Sequence, residues 1–287
     1  MLEHVKEVGP DFFSLIKTIK RELLEVVQNK PEKITPGELE KTISQKFSIK
    51  RMEIRSVIKD LIAEKALTYT YHYGRTFIEQ SFNKAVRISK HVILKPPEVF
   101  FKPEPDDVVV ELAHGASFGT GQHPTTRMAI KGIEHVIKEN DLLEGNKETC
   151  ALDIGTGSGV LAITAVRLGC NKAVGLDIDP CARYEARENV KINGLKDKVG
   201  IYDSSLEDFN EKFTLITANL RYPTLKKLYS AIATLTEQEG AVVLSGIKTD
   251  EVAALIDIYK EKYFECTWKE SENDWAGLVF LKTAKKA

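Results

Sequence analysis

Several things are scarce in this chain. Four cysteines in 287 residues show no CxxC spacing, which argues against a zinc site or a disulfide framework. Free thiols, buried or partly buried, are expected at Cys150, Cys170, Cys181 and Cys266. No apolar run approaches the roughly 20 residues that span a bilayer. The start, Met1-Leu2-Glu3-His4-Val5-Lys6, lacks the pattern of a secretory leader. No membrane partner is expected, and the default compartment is the cytoplasm. Excess charge is also missing, the formal net charge being −1. Residues 1–100 hold 18 Lys+Arg against 13 Asp+Glu and the remainder 23 against 29. That margin is far short of the strong basic face of a dedicated DNA binder.

With 43% hydrophobic and 29% charged residues, the composition is that of an ordinary globular protein. Its length is large for one domain and comfortable for two. The stretch that organises it is Ala151-Leu152-Asp153-Ile154-Gly155-Thr156-Gly157-Ser158-Gly159-Val160-Leu161-Ala162, an apolar strand that turns through alternating glycines into a helix. Backbone without Cβ atoms can approach a ligand closely. A second apolar strand, Ala173-Val174-Gly175-Leu176-Asp177, ends on a carboxylate that can accept hydrogen bonds from both ribose hydroxyls of an adenosine. Acid and loop together suit NAD as well as S-adenosylmethionine, although G-x-G-x-G differs from the dinucleotide spacing G-x-G-x-x-G. A ligand-free tight turn is the bland alternative.

Upstream, Ala116-Ser117-Phe118-Gly119-Thr120-Gly121-Gln122-His123-Pro124-Thr125-Thr126 is a glycine-rich turn leading into a helix with Pro in its first turn. Downstream, Phe213 to Leu220 reads as a buried strand ending at the amide Asn219, and Leu244-Ser245-Gly246 follows a later strand. With these segments the chain, over roughly residues 105–282, resembles the PrmA-type methyltransferases, which methylate protein eleven of the large ribosomal subunit. The resemblance implies S-adenosylmethionine as cofactor and a Rossmann-like α/β fold, with a seven-stranded class I methyltransferase sheet whose last strand is antiparallel. It carries cofactor contacts to Thr126, Gly155, Asp177 and Asn219, and extends them to Phe118, Thr120, Asp153, Gly157 and Ile178.

Asn219-Leu220-Arg221-Tyr222 keeps the N-x-x-Y spacing of the N-P-P-Y motif of amino-group methyltransferases but lacks both prolines. Asn219 and Tyr222 are the catalytic candidates, Asn219 to align an acceptor NH2 and Tyr222 to accommodate the methyl. A turn or cap role for Asn219 and ordinary packing for Tyr222 stay open. His114 and His123 lie near these segments, and neither is assigned a catalytic role.

In the amino-terminal part, Phe12, Leu15, Ile16, Ile19, Leu23 and Val26 give a helical period over 11–28. Thr35, Pro36 and Glu38 read as the cap, first position and capping-box acid of a second helix. A third runs over 49–64, and 66–71 with 75–79 reads as a hairpin. This order resembles a winged helix-turn-helix over residues 8–82, in place of the family's usual ferredoxin-like substrate domain. Lys50, Arg51, Arg55 and Lys59 would then face phosphates, with Tyr71, Tyr73 and Arg75 on the wing. Glu53, Asp60 and Glu64 dilute that face and leave a protein partner or self-association into a homodimer equally open.

The expected layout is therefore a winged-helix module over 1–84, a linker and strand over 85–105 and a methyltransferase domain over 106–287. The function expected is methyl transfer to a nitrogen of a protein held by the winged module. RNA or small-molecule methylation, and a regulator that only senses S-adenosylmethionine, are the alternatives.

Overall fold

The computed structural model describes residues 10–29, 34–72, 74–81, 84–113, 121, 123–140, 142–143 and 148–283. Phe118, Thr120, His114 and Tyr73 lie outside them. The chain divides into two compact units, Met1–Lys84 and Ala85–Ala287.

In the first unit, helices α1 (Pro10–Asn29), α2 (Pro36–Phe47) and α3 (Arg51–Ala63) precede the hairpin β1 (Leu67–His72) and β2 (Arg75–Gln80). The capping box forms as expected. The Thr35 backbone N–H donates to Glu38 at 2.9 Å, and the Glu38 N–H donates to the Thr35 hydroxyl at 3.4 Å. Ile19, Leu23, Leu39, Ile43, Ile54 and Leu61 meet in one apolar cluster, and Ile34 bridges to Ile78 of β2. The basic face of α3 is partly used within the unit. Arg55 donates twice to the buried Glu40 carboxylate, at 2.7 and 2.9 Å, and Arg51 donates to the Gly37 carbonyl at 3.0 Å. Two of the four cations expected to face phosphates thus tie α3 to α2.

The second unit opens with β3 (Val86–Arg87), β4 (Val92–Lys95) and β5 (Val108–Glu111) in a three-stranded sheet. The strand expected within residues 85–105 is divided here, a turn at residues 89–91 separating β3 from β4. The carboxylate of Glu134 accepts the Lys90 and His91 amides there, at 3.2 and 2.7 Å. A buried acid far away in sequence therefore creates the turn.

The remaining elements are α4 (Pro124–Lys138), β6 (Cys150–Ile154), α5 (Val160–Leu168), β7 (Lys172–Leu176), α6 (Pro180–Ile192), β8 (Val199–Tyr202), β9 (Phe213–Asn219), α7 (Tyr222–Leu235), β10 (Thr236–Lys248), α8 (Val252–Lys260), β11 (Phe264–Glu272) and β12 (Trp275–Lys282). Seven strands form one sheet in the order β11-β12-β10-β9-β6-β7-β8. Pairings among β8, β7, β6, β9 and β10 are parallel, and β12 is antiparallel to both neighbours. One apolar cluster takes in α4 and α5, and a second, around Phe213, Tyr259 and Phe280, takes in α7 and α8. The sheet is thus covered on both faces, as the near-continuous apolar strands require. The β11–β12 turn uses Asn273 and Asp274 at φ 49° and 62°, left-handed values that Asn and Asp tolerate better than most residues. Cys170 is buried and Cys150 and Cys266 are partly so, but Cys181 is exposed, contrary to expectation, in the first turn of α6. Among the described residues no helix is long and apolar enough to cross a membrane.

Candidate functional site

From β6 the chain winds outward through β7 and β8, then returns to place β9 on the other side of β6. The carboxyl ends of β6 and β9 flank the point where the winding direction reverses, the place where ligands of open α/β sheets sit. The glycine loop leaves β6 there, and Asn219 ends β9.

The loop is held from beneath. Gly155 and Thr156 both donate to the Leu176 carbonyl at 2.8 Å, and Asp153 accepts the Thr156 and Thr217 hydroxyls at 2.6 and 2.7 Å. Its carboxyl is fully buried and pushed up to about 6, burial outweighing the two hydroxyl donors. Asp153 is therefore a support under the loop, occupied on both oxygens by neighbouring strand and turn.

Asp177, one residue past β7, accepts the Gly157 amide and the Asp179 amide, each at 2.9 Å. It remains partly exposed, and each carboxylate oxygen has acceptor capacity left. Next to it Ile178 is 92% exposed, an apolar side chain at the loop left largely uncovered among the described residues.

Two close approaches fix Asn219. Gly155, at φ 73°, lies under the Leu220 side chain, where a Cβ would stand 2.6 Å from Cδ2. Gly246, at φ 85°, lies under the Leu220 backbone, where a Cβ would stand 2.5 Å from the carbonyl oxygen. Leu220 is thus seated between the glycine loop and the end of β10, and its amide donates to the Ser245 carbonyl at 3.0 Å. Asn219 extends its amide nitrogen to the Thr126 hydroxyl in the first turn of α4, at 3.4 Å. Its side-chain oxygen has no partner among the described residues. Asn219 is not a helix cap, since Arg221 caps α7.

Thr126 is buried, and His123 caps its helix by accepting the Thr125 amide at 3.3 Å. Burial first, then the positive charges of Arg127, Lys248 and Arg221, hold the His123 imidazole below its ordinary value. A neutral ring is what an accepting cap requires. Tyr222 opens α7 and packs partly buried against the apolar cluster of α7 and α8.

The aromatic ring that joins this constellation is Trp275, which sequence reasoning missed. It meets the His123 ring edge-on at 5.0 Å and stands opposite Lys248 in the β10–β12 register. A separate hollow of about 970 Å³ runs along edge strand β11, lined by Tyr263, Cys266 and Trp268 among others. It lies beside the first half of that strand, and Asp153, Gly155, Asp177, Thr126, Asn219 and Trp275 are not among its lining residues.

A seven-stranded sheet in this order, with its final strand inserted antiparallel and a glycine loop at the first strand's carboxyl end, is the class I methyltransferase fold. The model of the ribosomal protein L11 methyltransferase (PrmA) family matches residues 78–283, and the chain belongs to that family. It is 35% identical over 194 residues to the ribosomal protein L11 methyltransferase of Geobacter sulfurreducens, covering 68% of this chain and 61% of that protein. The corresponding protein of Clostridium perfringens is 30% identical over 200 residues, 70% of this chain and 61% of the relative. Each alignment spans about three fifths of the curated relative. A solved ribosomal protein L11 methylase from Lactobacillus delbrueckii subsp. bulgaricus superposes with a TM-score of 0.61 at 28% identity, covering 70% of this chain and all of the other.

Proposed function

We propose that the second unit transfers a methyl group from S-adenosylmethionine to a nitrogen of a protein, with ribosomal protein L11 as the first acceptor to test. The observation that carries this reading is the seat of Asn219. Its amide, beside Thr126 at the switch point, has an oxygen with no partner among the described residues, an acceptor for the N–H of an incoming amine.

The residues fit the cofactor. Asp177 keeps acceptor capacity for ribose hydroxyls, Ile178 offers an uncovered apolar surface for a base, and the Gly155–Gly157 backbone can pass close to the methionine part. Thr126 and Asn219 close the opposite side. Phe118 and Thr120 belong to the same proposed set through the family motif. Asp153 acts through the loop rather than by contact. When bound, the cofactor supplies a sulfonium methyl, already activated by its charge, so the chain's task is alignment. Asn219 would orient the acceptor nitrogen and keep its lone pair toward the methyl, with Tyr222 bordering that path.

For the first unit, the helix order and hairpin support a winged-helix reading in which the module presents the acceptor. The Arg55–Glu40 and Arg51–Gly37 contacts weigh against a nucleic-acid face and favour a protein partner.

The test is methyl-labelled cofactor with purified L11, and with host lysate with and without nuclease. Label in protein supports the proposal. Label only in nuclease-sensitive material, or cofactor binding without transfer to anything, would replace it with RNA methylation or sensing. Asn219→Ala should lower kcat by roughly 100-fold or more, since misplacement of about 1 Å costs that much, with a smaller loss of cofactor affinity. A mutant that loses affinity but keeps kcat would make Asn219 a binding residue only.

A further inference from the structure

Trp275 carries two cations. The Lys248 ammonium stands 3.9 Å and the Arg221 guanidinium 4.9 Å from its ring centroid. The three elements that bring them there also build the Asn219–Thr126 contact. Arg221 is two residues beyond Asn219 and caps α7. Lys248 is three residues beyond Ser245, the register partner of Asn219 in the β9–β10 pair. His123, edge-on to Trp275, caps the helix that holds Thr126.

Neither cation has a carboxylate partner among the described residues. Glu272 is paired with Arg127, and Glu251 accepts the Lys248 backbone amide at 2.7 Å rather than its ammonium. The ring quadrupole attracts each cation, while two like charges near one ring repel each other. Burial chiefly holds the neighbouring His123 imidazole below its ordinary value, and the charges of Arg127, Lys248 and Arg221 add to it, although residues 101–287 carry 29 acidic against 23 basic side chains. A carboxylate that pairs with either cation supplies the counter-charge that the ring does not.

We propose that Arg221 and Lys248, gathered on Trp275 beside Asn219, select acceptor segments that carry a carboxylate next to the nitrogen to be methylated. This rests on the methyl-transfer reading above. The acidic balance of the surrounding unit favours one or two peptide carboxylates over a polyphosphate strand, whose remaining charges would be repelled. The ring and its cations thereby set acceptor specificity, while Asn219 sets alignment.

The chain has two tryptophans, so Trp268→Phe leaves Trp275 as the only reporter of its own environment. The full chain with that change is titrated at low salt with acetylated, amidated Glu-Lys-Glu and with Gln-Lys-Gln, following Trp275 emission. The acidic peptide should bind about tenfold more tightly, the scale of two charge pairs at a half-buried site. In Arg221→Gln/Lys248→Gln the difference should vanish, and Lys248→Arg alone should keep it. With acidic acceptor peptides the double variant should raise KM more than it lowers kcat. Equal binding of both peptides, a preference that survives the double variant, or tighter binding of a single-stranded oligoribonucleotide than of the acidic peptide would overturn the proposal. A preserved binding preference without methyl transfer to any peptide would instead overturn the methyl-transfer reading and leave the anion site standing.

Discussion

Asp153 has the opposite pH behaviour to most carboxylates in folded proteins. Its folded value of about 6 lies above the ordinary 3.8, so the folded chain holds this proton more tightly than the unfolded one. The stability it contributes is fully present below pH about 4 and is lost as pH rises through about 6. A shift of about two units corresponds to about 3 kcal/mol. In urea unfolding, the stability of the parent relative to Asp153→Asn should therefore fall by up to that amount between pH 4 and 7. A difference that stays flat over this range would mean that the carboxyl is not desolvated as the geometry implies. The sequence exposed Asp153 as the end of a strand before a glycine loop, but its two hydroxyl donors lie on different elements. Thr217 is 64 positions away, and only strand pairing brings it under the loop. The same limit hid Trp275, whose contacts with Lys248, Arg221 and His123 depend on register across three elements. The strand ends that carry Gly155, Gly157, Asp177 and Asn219 were legible because each strand is locally recognisable.

At the scale of elements, the seat of Leu220 joins the carboxyl ends of β6, β9 and β10. Gly246→Ala would set a Cβ 2.5 Å from the Leu220 carbonyl oxygen and 2.9 Å from its carbon, at a backbone angle that L-residues rarely adopt. Backbone must move, at a cost on the order of 1–3 kcal/mol, and Asn219 moves with it. The expected outcome is a lower melting temperature together with a loss of methyl transfer larger than the loss of cofactor affinity. Gly37→Ala is the control, since nothing lies within 4 Å of its added Cβ, and it should change stability by less than about 1 kcal/mol. A Gly246→Ala protein as stable and active as the control would dismiss the seat. Helix periodicity and the capping box at Thr35 made the helices readable from sequence. The division of residues 86–94 was not, because its cause is the Glu134 carboxylate on α4, more than 40 positions on.

For the whole molecule, the two units have separate apolar clusters, the first around Ile19, Leu39 and Ile54 and the second on the two faces of the large sheet. A chain beginning at Ala85 should unfold in one cooperative transition and bind S-adenosylmethionine about as well as the full chain. Its turnover on a protein acceptor should fall at least tenfold, if the first unit presents that acceptor. Full turnover on the shortened chain would relieve the first unit of that role. The place of β12 has a consequence of another kind, in time rather than in space. It is inserted between β10 and β11, both of which precede it in the chain, so a ribosome delivers the glycine loop, Asp177, Asn219, Arg221 and Lys248 before Trp275 exists. Until that strand emerges, β10 has an unpaired edge and the two cations have no ring to meet on. The proposed cofactor cradle is thus complete in sequence while the chain is still being made, and the surface that would choose an acceptor is finished after it.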